Sequence, residues 1–347
     1  MEATSLLDRW EALKSEKVAG EEAPATEPER RKPTLYHPLE EAADDFVRWA
    51  QSPHERILLG ITELDREMRG IAPGEMCLVI GYSHSGKTLS LLEILRCNRS
   101  KRIIYFCPDE PRVLTLIKLT CILHGLRATD LERRVAADDE SAIELLRSTA
   151  VDHFPHLAVF DQSMSLADME RSYAEVTDLW GAQPELVVFD YLELLSGGGE
   201  DVPAKATSLK AWGRRHNVPL LVLHQTSRST GAAGRKLTIS SGAYGGEQQA
   251  THIIGVRRKR FEIEAQINDL ESRSAASDKV LEQLEGLRYL EKIHAYTVTM
   301  SLLKNKRPDA SLLPEIDYEI EAGTGRLTKL GEGELPRQYQ LELRGVA

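Results

Sequence analysis

Residues 81–88 read GYSHSGKT, preceded by the apolar run MCLVI and followed by TLSLLEILRC. No other stretch constrains the fold as much. A strand that ends in glycine, a loop whose second glycine precedes Lys-Thr, and a helix that starts there together turn successive backbone N–H groups toward one anion. Gly81, Ser83, Ser85, Gly86, Lys87 and Thr88 are therefore candidate nucleotide-binding residues. Lys87 is placed to neutralise β and γ oxygens and Thr88 to hold Mg²⁺, as expected for a triphosphate such as ATP. A strand feeding a helix in this way belongs to an α/β architecture.

The rest of the chain repeats the same grammar. Apolar runs bounded by turn residues recur at 76–81, 102–106, 156–161, 185–190, 219–224, 251–256 and 298–303. Between the earlier runs lie segments of helical length, such as Thr88 to Cys97, Arg112 to His124 and Leu166 to Trp180. Continuous apolar strands alternating with helices predict a mostly parallel sheet flanked by helices, with ligands at its carboxyl edge.

That edge collects further chemistry. ELVVFD delivers Asp190 to a strand end, where a second oxygen ligand for the metal belongs. In IIYFCPDEP, Asp109 and Glu110 end the strand after the loop helix, and one of them is the candidate base for an attacking water. Gln225 ends PLLVLHQ and is suited to sensing a γ-phosphate.

Composition sets outer limits. The net charge is −10, so any polyanion contact must be local. Basic residues cluster in RRKR (257–260) and KNKR (304–307). Cys77, Cys97, Cys107 and Cys121 form no C-x-x-C pair and read as reduced core thiols. MEATSLLDRW lacks the basic flank and apolar centre of a signal peptide, and no run is long enough to span a bilayer, so the expectation is a cytoplasmic protein with no membrane partner.

Residues 1–37 read as a short N-terminal helix, with Leu6, Trp10 and Leu13 on one face, followed by a charged, Pro-rich linker. The main domain is expected over 38–330 and a tail over 331–347. Its first helix, Pro38 to Ala50, carries an apolar stripe expected to pack on the core. Within the domain, Ile263, Ile267 and Leu270, then Val280, Leu284 and Leu287, spell a helical hairpin inserted at about 261–293.

Taken together, GITELDREMRGIAPGEMCLVIG, FDYLELL, LKAWGRRHNVPLLVLHQTSR, SGAYGGEQQATHIIGV and LLKNKR resemble the RecA-like ATPase domain of DnaB-type replicative helicases. The resemblance spans roughly residues 55 to 320. It implies a RecA-like P-loop NTPase core and a homo-oligomeric ring, usually a hexamer. It also implies ATP- and Mg²⁺-dependent translocation on single-stranded DNA with strand separation in replication, in a bacterial or phage-infected cytoplasm among replication-fork proteins. By the same resemblance, the Asp109/Glu110 pair covers the catalytic glutamate position, and Gln225 covers the glutamine that couples nucleotide state to DNA loops. The trans-acting finger falls among Lys304, Lys306 and Arg307, and the loops bearing Lys205, Arg228, Arg235 and Lys236 line the DNA channel. The first fifty residues leave no room for the family's separate N-terminal helical domain. Two other readings share the residues: a RecA-, RadA- or KaiC-like ATPase of recombination or regulation, and a non-hydrolysing loader or scaffold.

Overall fold

The computed structural model describes residues 39–197, 201–226, 236–241, 243–273, 278–307, 315–331 and 333–343. The runs read as strands form β1 (Met76–Gly81), β2 (Ile103–Phe106), β3 (Leu157–Phe160), β4 (Leu186–Phe189), β5 (Leu220–Gln225), β6 (His252–Arg258) and β7 (Thr297–Asn305). Two strands not foreseen, β8 (Ile316–Ile320) and β9 (Leu327–Lys329), complete a nine-stranded sheet of order β3-β2-β4-β5-β1-β6-β7-β8-β9. Every pairing from β3 across to β6 is parallel, and those from β6 to β9 are antiparallel. β1 sits inside the parallel part and is buried at every position. β3, at the sheet edge, is half-buried throughout.

Period-two alternation divides each central strand between two cores. Cys77 and Val79 face one with Leu91, Leu95 and Tyr105, while Met76, Leu78 and Ile80 face the other with Met169, Tyr173 and Trp212. The covering helices include α2 (Thr62–Met68), α3 (Lys87–Cys97), α4 (Arg112–His124), α5 (Ala128–Ala136), α6 (Glu140–Ser148), α7 (Leu166–Trp180) and α8 (Val202–Arg215). Local chemistry fixes their ends. At α7, Ser165 and Asp168 form a reciprocal capping box, and Gly181 closes the helix in the left-handed region at φ 61°.

The inserted hairpin is α9 (Lys259–Arg273) and α10 (Asp278–Ile293). Its stripes join in one cluster of Ile263, Ile267 and Leu284 with Leu270, Val280 and Leu287 against them. The basic run at its foot is paired with acidic residues. Arg257 is 6% exposed and pairs with Glu262 and Glu315, each at 2.5 Å, and Lys259 pairs with Asp317 at 2.5 Å. A final helix, α11 (Arg337–Leu343), lies in the segment expected to be a tail, with the Tyr339 ring edge-on to Tyr289.

The structure separates into two units, residues 1–51 and 52–347. In the first, α1 (Leu39–Gln51) forms over the expected residues, but Leu39, Phe46 and Val47 on its apolar stripe are exposed, with Phe46 stacked on Trp49. The N-terminal helix read at Ser5 to Leu13 and the linker after it lie outside the described residues.

Candidate active site

Strand register brings the chemistry to one edge. β1 ends at Gly81, directly opposite Gln225 at the end of β5. Phe106 and Phe189 are partners across β2 and β4, and Asp190 N–H donates to the Phe106 carbonyl at 2.8 Å. Thus the loop 81–88, Asp190, Gln225 and the Asp109/Glu110 turn all leave the sheet on the side where α3 begins.

The loop needs its glycines for space. A Cβ at Gly81 would stand 2.3 Å from the Val256 carbonyl and 2.4 Å from Ser85 Oγ, and Gly86 caps α3 at φ 101°. Tyr82 staples the loop to the foot of the insertion: its hydroxyl accepts from Arg258 N–H at 2.6 Å and donates to the Arg258 carbonyl at 3.0 Å.

Lys87 is buried, and its ammonium donates to the Gly81 and Tyr82 carbonyls, both at 2.8 Å. Burial lowers its pKa to about 8 against the opposing charges of Asp190 and Glu193. Asp190 Oδ2 accepts from the Thr88 hydroxyl and from the Tyr105 hydroxyl, each at 3.2 Å. Burial lifts the Asp190 carboxyl to about 6; the Thr88 and Tyr105 hydrogen bonds and the Lys87 charge resist this, and Asp109 adds to it.

These donors fit a polyphosphate with a divalent cation. The Ser85 hydroxyl is buried without a hydrogen-bond partner among the described residues. The Lys87 ammonium rests on backbone carbonyls it can exchange for phosphate oxygens, and the Thr88 and Asp190 oxygens adjoin as Mg²⁺ requires. Ser83 is exposed in the same loop.

The acidic turn resolves into two different residues. Glu110 is paired with Lys118 on α4, whereas Asp109 is exposed and its charge acts on Asp190 and Tyr191. Gln225 N–H donates to Glu193 Oε1 at 2.9 Å, a contact the sequence reading missed although FDYLELL contains the glutamate.

The basic candidates sit in different surroundings. The Arg307 guanidinium is held inside its own chain: it pairs with Glu75, with Nη2 to Oε2 at 2.6 Å, and donates to the Met68 and Gly70 carbonyls at 3.1 Å. At 9% side-chain exposure it is engaged within its own chain, and reaching toward a neighbour would separate it from the part-buried Glu75 carboxylate. Lys304 donates to the Glu247 and Gln248 carbonyls at 2.9 and 3.1 Å, while Lys306 is exposed. Lys205 donates to the Glu193 carbonyl at 2.8 Å, and Lys236 is exposed and 3.0 Å from Glu315. Arg228 and Arg235 lie outside the described residues.

The model of the DnaB-like helicase C-terminal domain matches residues 57–276. The chain belongs to this family. A curated relative, the replicative DNA helicase DnaB of Geobacillus stearothermophilus, is 22% identical over 187 residues, 49% of this chain and 39% of that protein. The chain thus spans well under half the length of that relative. Among solved structures, one described as an ATPase domain superposes with a TM-score of 0.62 at 17% identity, covering 85% of this chain and 99% of that one. A DnaB-like replicative helicase, described with its interactions with primase, gives a TM-score of 0.61 at 16% identity over 94% of this chain and 72% of that one. At such identities these two show the fold: a RecA-like core of the DnaB type.

Proposed function

We propose that the chain is an ATP-dependent DNA helicase that works as a ring of identical subunits, translocating on single-stranded DNA and separating strands in replication. The observation that carries this is the meeting of Lys87, Thr88 and Asp190 at one sheet edge, with Thr88 and Asp190 3.2 Å apart, in a chain of the DnaB-like family.

The loop amides and the α3 N-terminus bind the triphosphate, and the Lys87 ammonium turns from the Gly81 and Tyr82 carbonyls to its β and γ oxygens. Thr88 and Asp190 would hold Mg²⁺, which would supply neutralising charge at the same oxygens. Asp109 takes the proton of a water as its oxygen bonds to the γ-phosphorus; the bond from that phosphorus to the β–γ bridging oxygen breaks, and ADP leaves. Asp109 is preferred to Glu110 because Glu110 is engaged by Lys118. Gln225 donates to the γ-phosphate. Lys306 of a neighbouring copy, exposed at the end of β7, supplies the trans-acting charge in place of Arg307. Lys205, Lys236, Arg228 and Arg235 are the residues assigned to bind the DNA backbone.

A site completed in trans requires assembly. Sedimentation with a non-hydrolysable ATP analogue, Mg²⁺ and oligothymidylate is expected to show a closed oligomer, usually six subunits in this kind of ring. A monomer under those conditions contradicts the shared-site mechanism.

A further inference from the structure

The end of β5 poses a hydrogen-bonding problem that Glu193 solves. On one side β5 pairs with β1 as far as Gly81 opposite Gln225, but on the other its ladder with β4 stops at Phe189 opposite Val222. After Phe189 the chain leaves the sheet through Asp190 into the 3-10 turn Leu192–Leu194. Leu220 and Thr226 N–H donate to the Glu75 and Gly81 carbonyls on the β1 side, so by alternation Gln225 N–H faces the other side, past the last ladder pair with β4. Glu193, from that turn, fills the gap: its Oε1 accepts from Gln225 N–H at 2.9 Å and lies 2.9 Å from Nδ1 of His224, which is wholly buried. A carboxylate acceptor makes this a charge-assisted bond, stronger than the ladder bond it replaces.

The same residue is gripped from the other side. Lys205, in the first turn of α8, donates its ammonium to the Glu193 carbonyl at 2.8 Å. Asp201 caps that turn by accepting from Ala204 N–H at 2.8 Å. Glu193 is also close enough to the loop lysine for its charge to act on Lys87. One short turn thus touches a lysine proposed for DNA, the residue proposed to face the γ-phosphate, and the field at the P-loop.

We infer that Glu193 is a positioning residue that sets Gln225 against the nucleotide and passes the state of the Lys205 segment to it. The inference rests on the helicase reading, which gives Lys205 and Gln225 their roles. When the Lys205 ammonium turns to a DNA phosphate, it releases the Glu193 carbonyl, the turn shifts, and the carboxylate moves the end of β5. A side-chain acceptor suits this, because it travels with the turn whereas a ladder carbonyl is fixed by the sheet.

The test is steady-state ATP hydrolysis by the full chain with and without saturating oligothymidylate, for wild type, Glu193→Gln and Glu193→Ala. Glu193→Ala is expected to lower the ratio of DNA-stimulated to basal kcat by about tenfold, within the ordinary range of coupling between sites. KM for ATP is expected to stay near the wild-type value. Glu193→Gln keeps an acceptor oxygen but loses the charge, and its ratio should fall by about threefold, on the order of one weakened charge-assisted bond. A Glu193 that merely holds the fold lowers both rates together, leaves the ratio unchanged and lowers the melting temperature. That pattern, or a wild-type ratio in Glu193→Ala, overturns the inference alone. Wild-type hydrolysis that ignores DNA overturns the helicase reading and the inference with it. If Glu193→Ala does not fold, an unchanged ratio in Glu193→Gln is still decisive against the inference.

Discussion

Arg307 separates a structural role from a catalytic one by a measurable free energy. Its guanidinium and the Glu75 carboxylate have side-chain exposures of 9% and 17%, and it also donates to the Met68 and Gly70 carbonyls at 3.1 Å. Removing one partner of a buried pair costs about 3–5 kcal/mol, because the other charge is left without compensation. Here Glu75 retains the Ala72 N–H at 2.9 Å and has His252 at 3.6 Å, so Arg307→Ala belongs at the lower end, about 3 kcal/mol. At roughly 2 °C per kcal/mol for a body of this size, the melting temperature falls by about 6 °C. The assay is thermal unfolding of nucleotide-free protein at neutral pH, with Glu75→Gln and the double variant closing a cycle. Burial pushes the Glu75 carboxyl up, but the nearby His252 ring and the hydrogen bonds and charge of Arg307 outweigh it, leaving the carboxyl below its ordinary 4.5. A lowered carboxyl stabilises in full above 4.5 and loses that contribution as pH falls through the lowered value. The gap between wild type and Arg307→Ala therefore closes on acidification. An Arg307→Ala protein that melts with the wild type yet loses oligomer hydrolysis refutes the reasoning and restores Arg307 as the finger.

Three other outcomes are expected. Asp109→Asn lowers hydrolysis by about 10²-fold or more while nucleotide binding persists, whereas Glu110→Gln, which only frees Lys118, stays within a few-fold; phosphate release and a fluorescent-nucleotide titration check both. Lys306→Ala mixed with wild type lowers hydrolysis more than in proportion, because each altered copy disables a neighbour's site; a linear mixing curve argues against trans action. Cys97 is exposed, while Cys107 is buried with its thiol pushed up to about 12, so a thiol reagent at pH 8 labels Cys97 first and leaves Cys107 untouched in the folded protein.

What could be read from the sequence was what local pattern determines. Continuous apolar runs located the strands of the parallel sheet, since a strand buried on both faces has no room for polar residues. The glycines and Lys-Thr of the loop, Asp190 and Gln225 stood out because each is a chemical exception at the end of such a run. The antiparallel edge was harder: IDYEI in β8 mixes charge with apolar residues and has no run to detect. The pairing of Arg307 was not legible because its partner Glu75 lies 232 residues away in sequence, and a basic cluster looks alike whether free or paired. The same holds for Arg257 and Lys259, whose partners Glu315 and Asp317 come from beyond the insertion. Glu193 lay in a stretch already read as significant, but its bond to Gln225 depends on where β4 stops, which only the register reveals. Cys97, read as a core thiol, is exposed at the end of α3.

The central claim is that hydrolysis at the Lys87–Asp190 edge drives strand separation. Its most direct test is ATP-dependent unwinding of a forked DNA with a 5′ tail, comparing wild type with Lys87→Ala. The account predicts unwinding by the wild type that disappears in Lys87→Ala along with hydrolysis. DNA-stimulated hydrolysis by the wild type with no unwinding contradicts it and points to a recombination or regulatory ATPase on the same fold.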